Sequence, residues 1–228
     1  YFCNVFNVHV SWNRSLVTRS IICKLKIMID IYSLSTNELV IKLRSGEVSS
    51  VEVCNAYIDR INKYEKDVKA WSFLDKKNLL EKAAEADVYR KTGKPIGPLH
   101  GLPIAVKDII ATYDMPTECG SVLRKGITGA ADAEVINLIK ASGALVMGKT
   151  VTTEFAYFDP GKTTNPHDYT RTPGGSSSGS AAVIAAHMAP LSIGTQTNGS
   201  VIRPASYCGV VGYKPSFGLI SRTGILKQ

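Results

Sequence analysis

The run Leu102-Pro-Ile-Ala-Val-Lys107-Asp108-Ile-Ile110 constrains this chain more than any other stretch. Seven of its nine residues are apolar and Gly101 precedes it, so it reads as a short buried strand and its exit. A lysine sits inside it. Burial among Leu102, Pro103, Ile104, Ala105, Val106, Ile109 and Ile110 lowers the proton affinity of Lys107, because a low-dielectric site disfavours the charge. Bringing a lysine from about 10.4 to near 7 costs roughly 4–5 kcal/mol, which a purely structural lysine has no reason to bear. Lys107 is therefore a candidate functional residue.

Helix signals surround this strand. Ser35-x-x-Glu38 and Ser49-x-x-Glu52 are capping boxes. The first opens a helix that ends near Gly46, and the second a helix through Val51, Val53, Ala56, Tyr57 and Ile61. A third helix is expected from Lys77 to Lys91, stopping at Gly93. Ala133–Ala141 reads as an amphipathic helix followed by a strand at Ala144–Met147. Ala181–His187 begins an Ala-rich helix directly after a Gly/Ser loop. Alternating helices and short apolar strands give an α/β layered fold.

The 228 residues correspond to about one and a half average domains. The apolar share of 44% and charged share of 20% suit a globular protein and exclude disorder, collagen and coiled coil. The longest apolar runs, such as 181–186, fall far short of a membrane span. The net charge of +8 is concentrated at the two ends. Residues 1–29 carry Arg14, Arg19, Lys24 and Lys26, and residues 169–228 carry Arg171, Arg203, Lys214, Arg222 and Lys227, with no acid in either stretch. This is not the basic stripe, interleaved with aromatics, of a nucleic-acid binder. It marks an anion-friendly C-terminal region, or one whose acidic partners lie elsewhere. Five widely spaced cysteines without a CxxC pair indicate neither zinc nor a disulfide framework, and point to a reducing cytoplasm. Residues 1–27, basic and acid-free, read as a transit-like segment or as sequence upstream of a start at Met28; the second reading is preferred.

Two motif matches fail on context. Gly143–Thr150 fits GxxxxGK[ST], but a helix precedes Gly143 and a strand-like run fills the middle, the reverse of a phosphate cradle. Gly175-Ser-Ser177-Ser-Gly179 fits the GxSxG nucleophile elbow, but no strand leads into it. His187 is the one histidine beyond Ser177, and no acid follows Asp168.

The chemistry lies in three stretches taken together. Thr172–Ser180 places hydroxyls and backbone N–H groups at a helix N-terminus, and Gly194–Pro204 supplies a second Gly/Thr/Ser loop. Singly, each also reads as an ordinary turn. Beside a buried lysine, they form a candidate site. GLPIAVKD, PGGSSSGSAAVIAA and GTQTNGSVIRPASYCGVVGYKPSFG are the stretches in question, with Lys107 and Ser176 separated by 69 residues and Ser176 and Ser200 by 24. From about Met28 onward the chain resembles the amidase signature family of serine hydrolases on these motifs and spacings.

The resemblance implies a layered α/β/α fold with a central mixed sheet, of which this chain holds the N-terminal part (28–228). It also implies a Ser–cisSer–Lys triad: Ser200 as nucleophile, Ser176 as bridging serine with a cis peptide to Gly175, and Lys107 as general base. The N–H groups of Thr197, Asn198, Gly199 and Ser200 would line the oxyanion hole. The reaction implied is hydrolysis of a small amide through an acyl-enzyme on Ser200, with no metal and no organic cofactor. Implied partners are a small-molecule amide and at most a second copy in a homodimer, with no nucleic acid and no membrane. Four departures from the commoner pattern stand out: Gln196 for aspartate, Asn198 for glycine, Ser178 for glycine, and Arg203 three residues after the nucleophile instead of two. TQTxGSVIRPA resembles malonamidase-like variants in which this arginine holds a substrate carboxylate. An equal alternative for Arg203 is the tying down of loop carbonyls near Pro204. The competing functions are the A subunit of a tRNA-dependent glutamine amidotransferase and a truncated, non-catalytic fragment.

Overall fold

The computed structural model describes residues 30–227. Residues 1–27 and the expected start at Met28 lie outside the described residues.

Both capping boxes form. Helix α1 (Thr36–Ser45) has Glu38 N–H on the Ser35 hydroxyl, with the Glu38 carboxylate returning to Ser35 N–H, and ends at Gly46 in the left-handed region. Helix α2 (Ser50–Val68) repeats the device with Ser49 and Glu52. Such caps contribute about 1 kcal/mol each by pairing otherwise orphaned helix-end donors. A short strand, β1 (Trp71–Leu74), precedes α3 (Lys76–Lys91), which is capped by Asp75. Next come β2 (Pro103–Lys107), α4 (Glu134–Ala141) and β3 (Leu145–Thr150). The chain then forms α5 (Ser178–Ala185), β4 (Ser192–Ile193) and α6 (Ile202–Tyr207).

The sheet order is β1-β3-β2-β4, with β1 antiparallel and β4 parallel to its neighbour, so the sheet is mixed. All five residues of β2 and all six of β3 are buried. Around them pack Leu39 and Leu43 of α1, Val53, Tyr57 and Ile61 of α2, Leu79 of α3 and Ile136 of α4. Each such aliphatic side chain contributes roughly 1.5–3 kcal/mol by leaving water.

Most boundaries shift by a residue or two from the sequence reading, and two differ by three. Strand β3 runs past Met147 through Gly148, Lys149 and Thr150, so the P-loop match lies in a strand with no helix after its lysine. Helix α5 starts at Ser178, three residues before Ala181, because its first turn uses the serines of the loop itself. Strands β1 and β4 and helix α6 had no sequence signal: they span four, two and six residues, too few for any periodicity to register. Pro204 is tolerated in α6 because it lies in the first turn, where a missing N–H costs nothing.

Side chains alternate across a strand, and this sorts the lysines. Lys107 pairs in register with Thr150, whose hydroxyl bonds Ser180 of α5 at 2.7 Å. One residue back, Val106 pairs with Lys149, which turns to the opposite face and meets residues 110–117. Helical and loop structure thus covers both faces, as a layered α/β/α arrangement requires.

Candidate active site

Lys107 ends β2 and is completely buried. Its Nζ donates to Ser176 Oγ at 2.7 Å and to Thr195 Oγ1 at 2.9 Å. Burial pushes its ammonium from 10.5 down to about 7. Near neutral pH a neutral amine is therefore well populated, which is what a general base needs.

The serine-rich loop is organised hydroxyl by hydroxyl. The Gly175–Ser176 peptide is cis, and the Ser176 carbonyl accepts the Thr153 N–H at 3.2 Å. Ser177 clamps the neighbouring loop: its hydroxyl donates to Thr195 O at 3.1 Å and accepts Thr195 N–H at 3.2 Å. It is buried and committed to backbone, which removes the chemical basis of the elbow reading. Ser178 donates to Val151 O at 3.3 Å. Gly179 lets this helix start approach the sheet edge, since a methyl group there would run into the backbone of Ala70 and Val151. Of these three serines, Ser176 alone aims its hydroxyl at the lysine.

Residues 194–203 form the facing wall. Ser200 is half-buried, and its carbonyl accepts the Ser177 N–H at 3.2 Å, joining this wall to the serine loop. Among the described residues its hydroxyl has no partner, and the N–H groups of Asn198, Gly199 and Ser200 have no acceptor. Adjacent unused donors beside a free hydroxyl are the elements of an oxyanion site. Gln196 holds the shape of this loop. Its Oε1 accepts Val201 N–H and Ile202 N–H at 2.9 Å each, capping α6, and its Nε2 donates to Asn198 O at 3.0 Å. The Gln196 departure from aspartate is thus accounted for, because the amide both accepts from the helix end and donates to the loop.

Arg203 is exposed, with its guanidinium beside Gly199: a methyl group on Gly199 would lie 3.1 Å from Nη2. No described residue forms an ion pair or side-chain hydrogen bond with it. The loop carbonyls near Pro204 do not engage it, so the carbonyl-tying alternative finds no support.

The structure thus joins Lys107 to Ser176 directly, and Ser200 to them through backbone. It adds Thr195, which sequence reasoning missed, and gives a place to Gln196, which the sequence showed only as a departure. Thr195 shares the lysine, and Gln196 shapes the loop. A polar residue at 195 beside a Gly-rich turn carried no signal separable from turn chemistry. Among the described residues no group of three His, Cys, Asp or Glu side chains forms a metal-like cluster, and no helix is long and apolar enough to cross a membrane. Cys54, Cys119 and Cys208 are free and buried.

A mixed α/β scaffold thus brings together a buried lysine, a serine bonded to it and a second loop carrying Ser200. Comparison with known families agrees: residues 52–228 match the Amidase family, and the chain belongs to it. It is 42% identical over 198 residues to the glutamyl-tRNA(Gln) amidotransferase A chain of Rhodopirellula baltica, covering 84% of this chain and 40% of that protein. Among solved structures it resembles the peptide amidase of Stenotrophomonas maltophilia (TM-score 0.81, 37% identity, 86% of this chain and 42% of that one). It likewise resembles a fatty acid amide hydrolase (TM-score 0.80, 29% identity, 92% and 38%). The chain spans about 40% of the length of these relatives.

Proposed function

We propose that the protein carrying this chain is a serine-type amidase that cleaves the carbon–nitrogen bond of small amides through an acyl-enzyme on Ser200. The observation that carries this reading is the 2.7 Å hydrogen bond between fully buried Lys107 and Ser176, with the Ser200 loop tied to the neighbouring Ser177 through backbone. A neutral amine has a lone pair as well as two N–H groups. Lys107 takes the Ser176 proton as Ser176 takes that of Ser200, while one N–H stays on Thr195. Ser200 Oγ attacks the amide carbonyl, and the developing oxyanion meets N–H groups from Thr197 to Ser200. The proton returns along the same relay to the leaving amine, and water then releases the acid. Apo distances longer than a hydrogen bond at Ser200 are expected to close when substrate binds.

Arg203, without an ion-pair or side-chain hydrogen-bond partner among the described residues and beside Gly199, supports a substrate bearing a carboxylate, which its planar fork grips with two hydrogen bonds. The buried free thiols of Cys54, Cys119 and Cys208 suit a reducing cytoplasm, and a homodimer is compatible with the reading. The test is fluorophosphonate labelling of the full-length protein with peptide mapping, followed by turnover of an amide panel. The adduct is expected on Ser200; an adduct on Ser177, or none with intact fold, overturns the assignment.

A second reading is the A subunit of a glutamine amidotransferase, supported by the 42% identity to such a chain. Co-purification with partner subunits, together with glutaminase activity dependent on them, would decide for it.

A further inference from the structure

The lysine of the rejected P-loop match has no part in the relay, yet it is as buried as the base. Lys149 is completely inaccessible to solvent. Its Nζ donates to Thr117 Oγ1 at 2.7 Å, Ile110 O at 2.8 Å, Pro116 O at 3.1 Å and Thr112 Oγ1 at 3.2 Å. Asp108 Oδ1 lies 3.6 Å away. Four acceptors from one eight-residue stretch converge on a single ammonium that has only three protons, and a buried carboxylate balances its charge. A methionine would fill the same volume. The oxygens are gathered for the charge.

What they gather is the exit of the base's own strand. Ile110 N–H donates to Lys107 O at 3.1 Å, closing a turn that begins at Lys107 itself. Asp108 N–H donates to Thr150 O at 3.0 Å. The return of the loop is fastened at the same point, with Glu118 N–H on Asp108 Oδ1 at 3.2 Å and Cys119 N–H on Asp108 O at 2.9 Å. Lys149 is anchored in β3 next to Thr150, the register partner of Lys107, and pulls this turn from the face of the sheet opposite Ser176. Burial lowers the pKa of Lys149 and raises that of Asp108, while the opposite charge of each partner favours the ionised form of the other.

We propose that Lys149 is a positioning residue for Lys107: its ammonium, with Asp108, locks the turn Lys107–Ile110 and so fixes the direction in which the Lys107 side chain leaves β2 toward Ser176. The proposal rests on the reading of Lys107 as the base. Misplacing a base by a fraction of an ångström slows the chemical step and leaves probe binding alone.

The test uses fluorophosphonate labelling time courses on the full-length protein. In Lys149→Met, kinact is expected to fall by roughly tenfold or more, with KI unchanged and the final labelled fraction equal to wild type. If Lys149 only stabilises the fold, the final fraction drops while kinact of the folded molecules stays the same, and that outcome overturns the proposal. Should Lys149→Met fail to fold, Thr117→Val keeps both charges, removes the 2.7 Å acceptor, and is expected to lower kinact by a few fold. A second measurement needs no nucleophile. The Lys107 side-chain NMR signal, assigned by its loss in Lys107→Met, is expected to shift in Lys149→Met or Thr117→Val. An unmoved signal overturns the positioning role. A shifted signal with no labelling of wild type at Ser200 would overturn the amidase reading alone.

Discussion

The backbone N–H of Ser177 donates to the carbonyl oxygen of Ser200 across 3.2 Å, tying together two loops that lie on either side of α5 and β4 in the chain. Backbone, rather than the serine hydroxyls, carries this joint. With Ser177 also clamping Thr195 through its side chain, the two walls are fixed, while the Ser200 hydroxyl has no hydrogen-bond partner among the described residues.

Lys107→Met should abolish amide turnover and at the same time stabilise the fold at neutral pH. The lowered pKa means that between about 7 and 10.5 the unfolded chain holds a proton that the folded chain lacks. Stability of the wild type therefore rises with pH across that window, and the penalty is fully present below about 7. Its size is about 4–5 kcal/mol. Losing the bonds to Ser176 and Thr195 offsets about 2 kcal/mol, so the variant should gain roughly 2–3 kcal/mol near pH 7 and progressively less toward pH 10. Denaturation curves across pH check the slope. In the wild type, acylation of Ser200 should also fall as pH drops below about 7 and the base is protonated.

Thr195→Val removes one of the two oxygens that hold the Lys107 amine. Turnover is expected to fall by about tenfold while Thr195→Ser retains most of it, because the serine keeps the hydroxyl. Equal losses in both variants would assign Thr195 to packing through its methyl group.

Gly179→Ala should be costly despite its small size. The added methyl meets main-chain atoms of Ala70 and Val151, which cannot move aside as a side chain can, so about 1–3 kcal/mol is expected, with a displaced Ser176 loop and weakened Ser200 labelling. Gly93→Ala is the comparison: it has open space around it and is burdened only by its positive φ, about 1 kcal/mol, with labelling intact.

Arg203→Ala should change which amides are preferred. With no side-chain partner among the described residues, the guanidinium is available to a substrate carboxylate, and kcat/KM for an acidic short amide should drop by one to two orders of magnitude, about 1.5–3 kcal/mol for a charge-assisted bond. A neutral amide should be nearly unaffected. A ratio between the two substrates that does not change confines Arg203 to a structural role.

Much of this was legible in the chain. The capping boxes at Ser35 and Ser49 announced α1 and α2 because a cap is a local device, complete within four residues. The apolar setting of Lys107 announced its burial, because nearest neighbours along a strand already exclude water. The GxSxG and P-loop matches fail on the order of helix and strand, which is also local. By contrast, β1, β4 and α6 are set by partners distant in sequence, and their own few residues encode too little preference to show them. Gln196 reads as a departure in the sequence and as a loop brace in space, because the groups it satisfies belong to a helix end that only tertiary packing creates.

Sequence by itself determined the residue types, their spacing and the burial of one lysine, since those follow from local patterning and transfer free energy. Only the tertiary structure decided which hydroxyl meets which amine. Ser176, Ser177 and Ser178 are chemically alike and adjacent, and their separate partners come from the start of α5 and the positions of Lys107, Thr195 and Val151. It also decided that two equally buried lysines, one residue apart across paired strands, face opposite sides of the sheet. Hydrogen bonds act over about 3 Å, and that precision exists only once distant segments have packed.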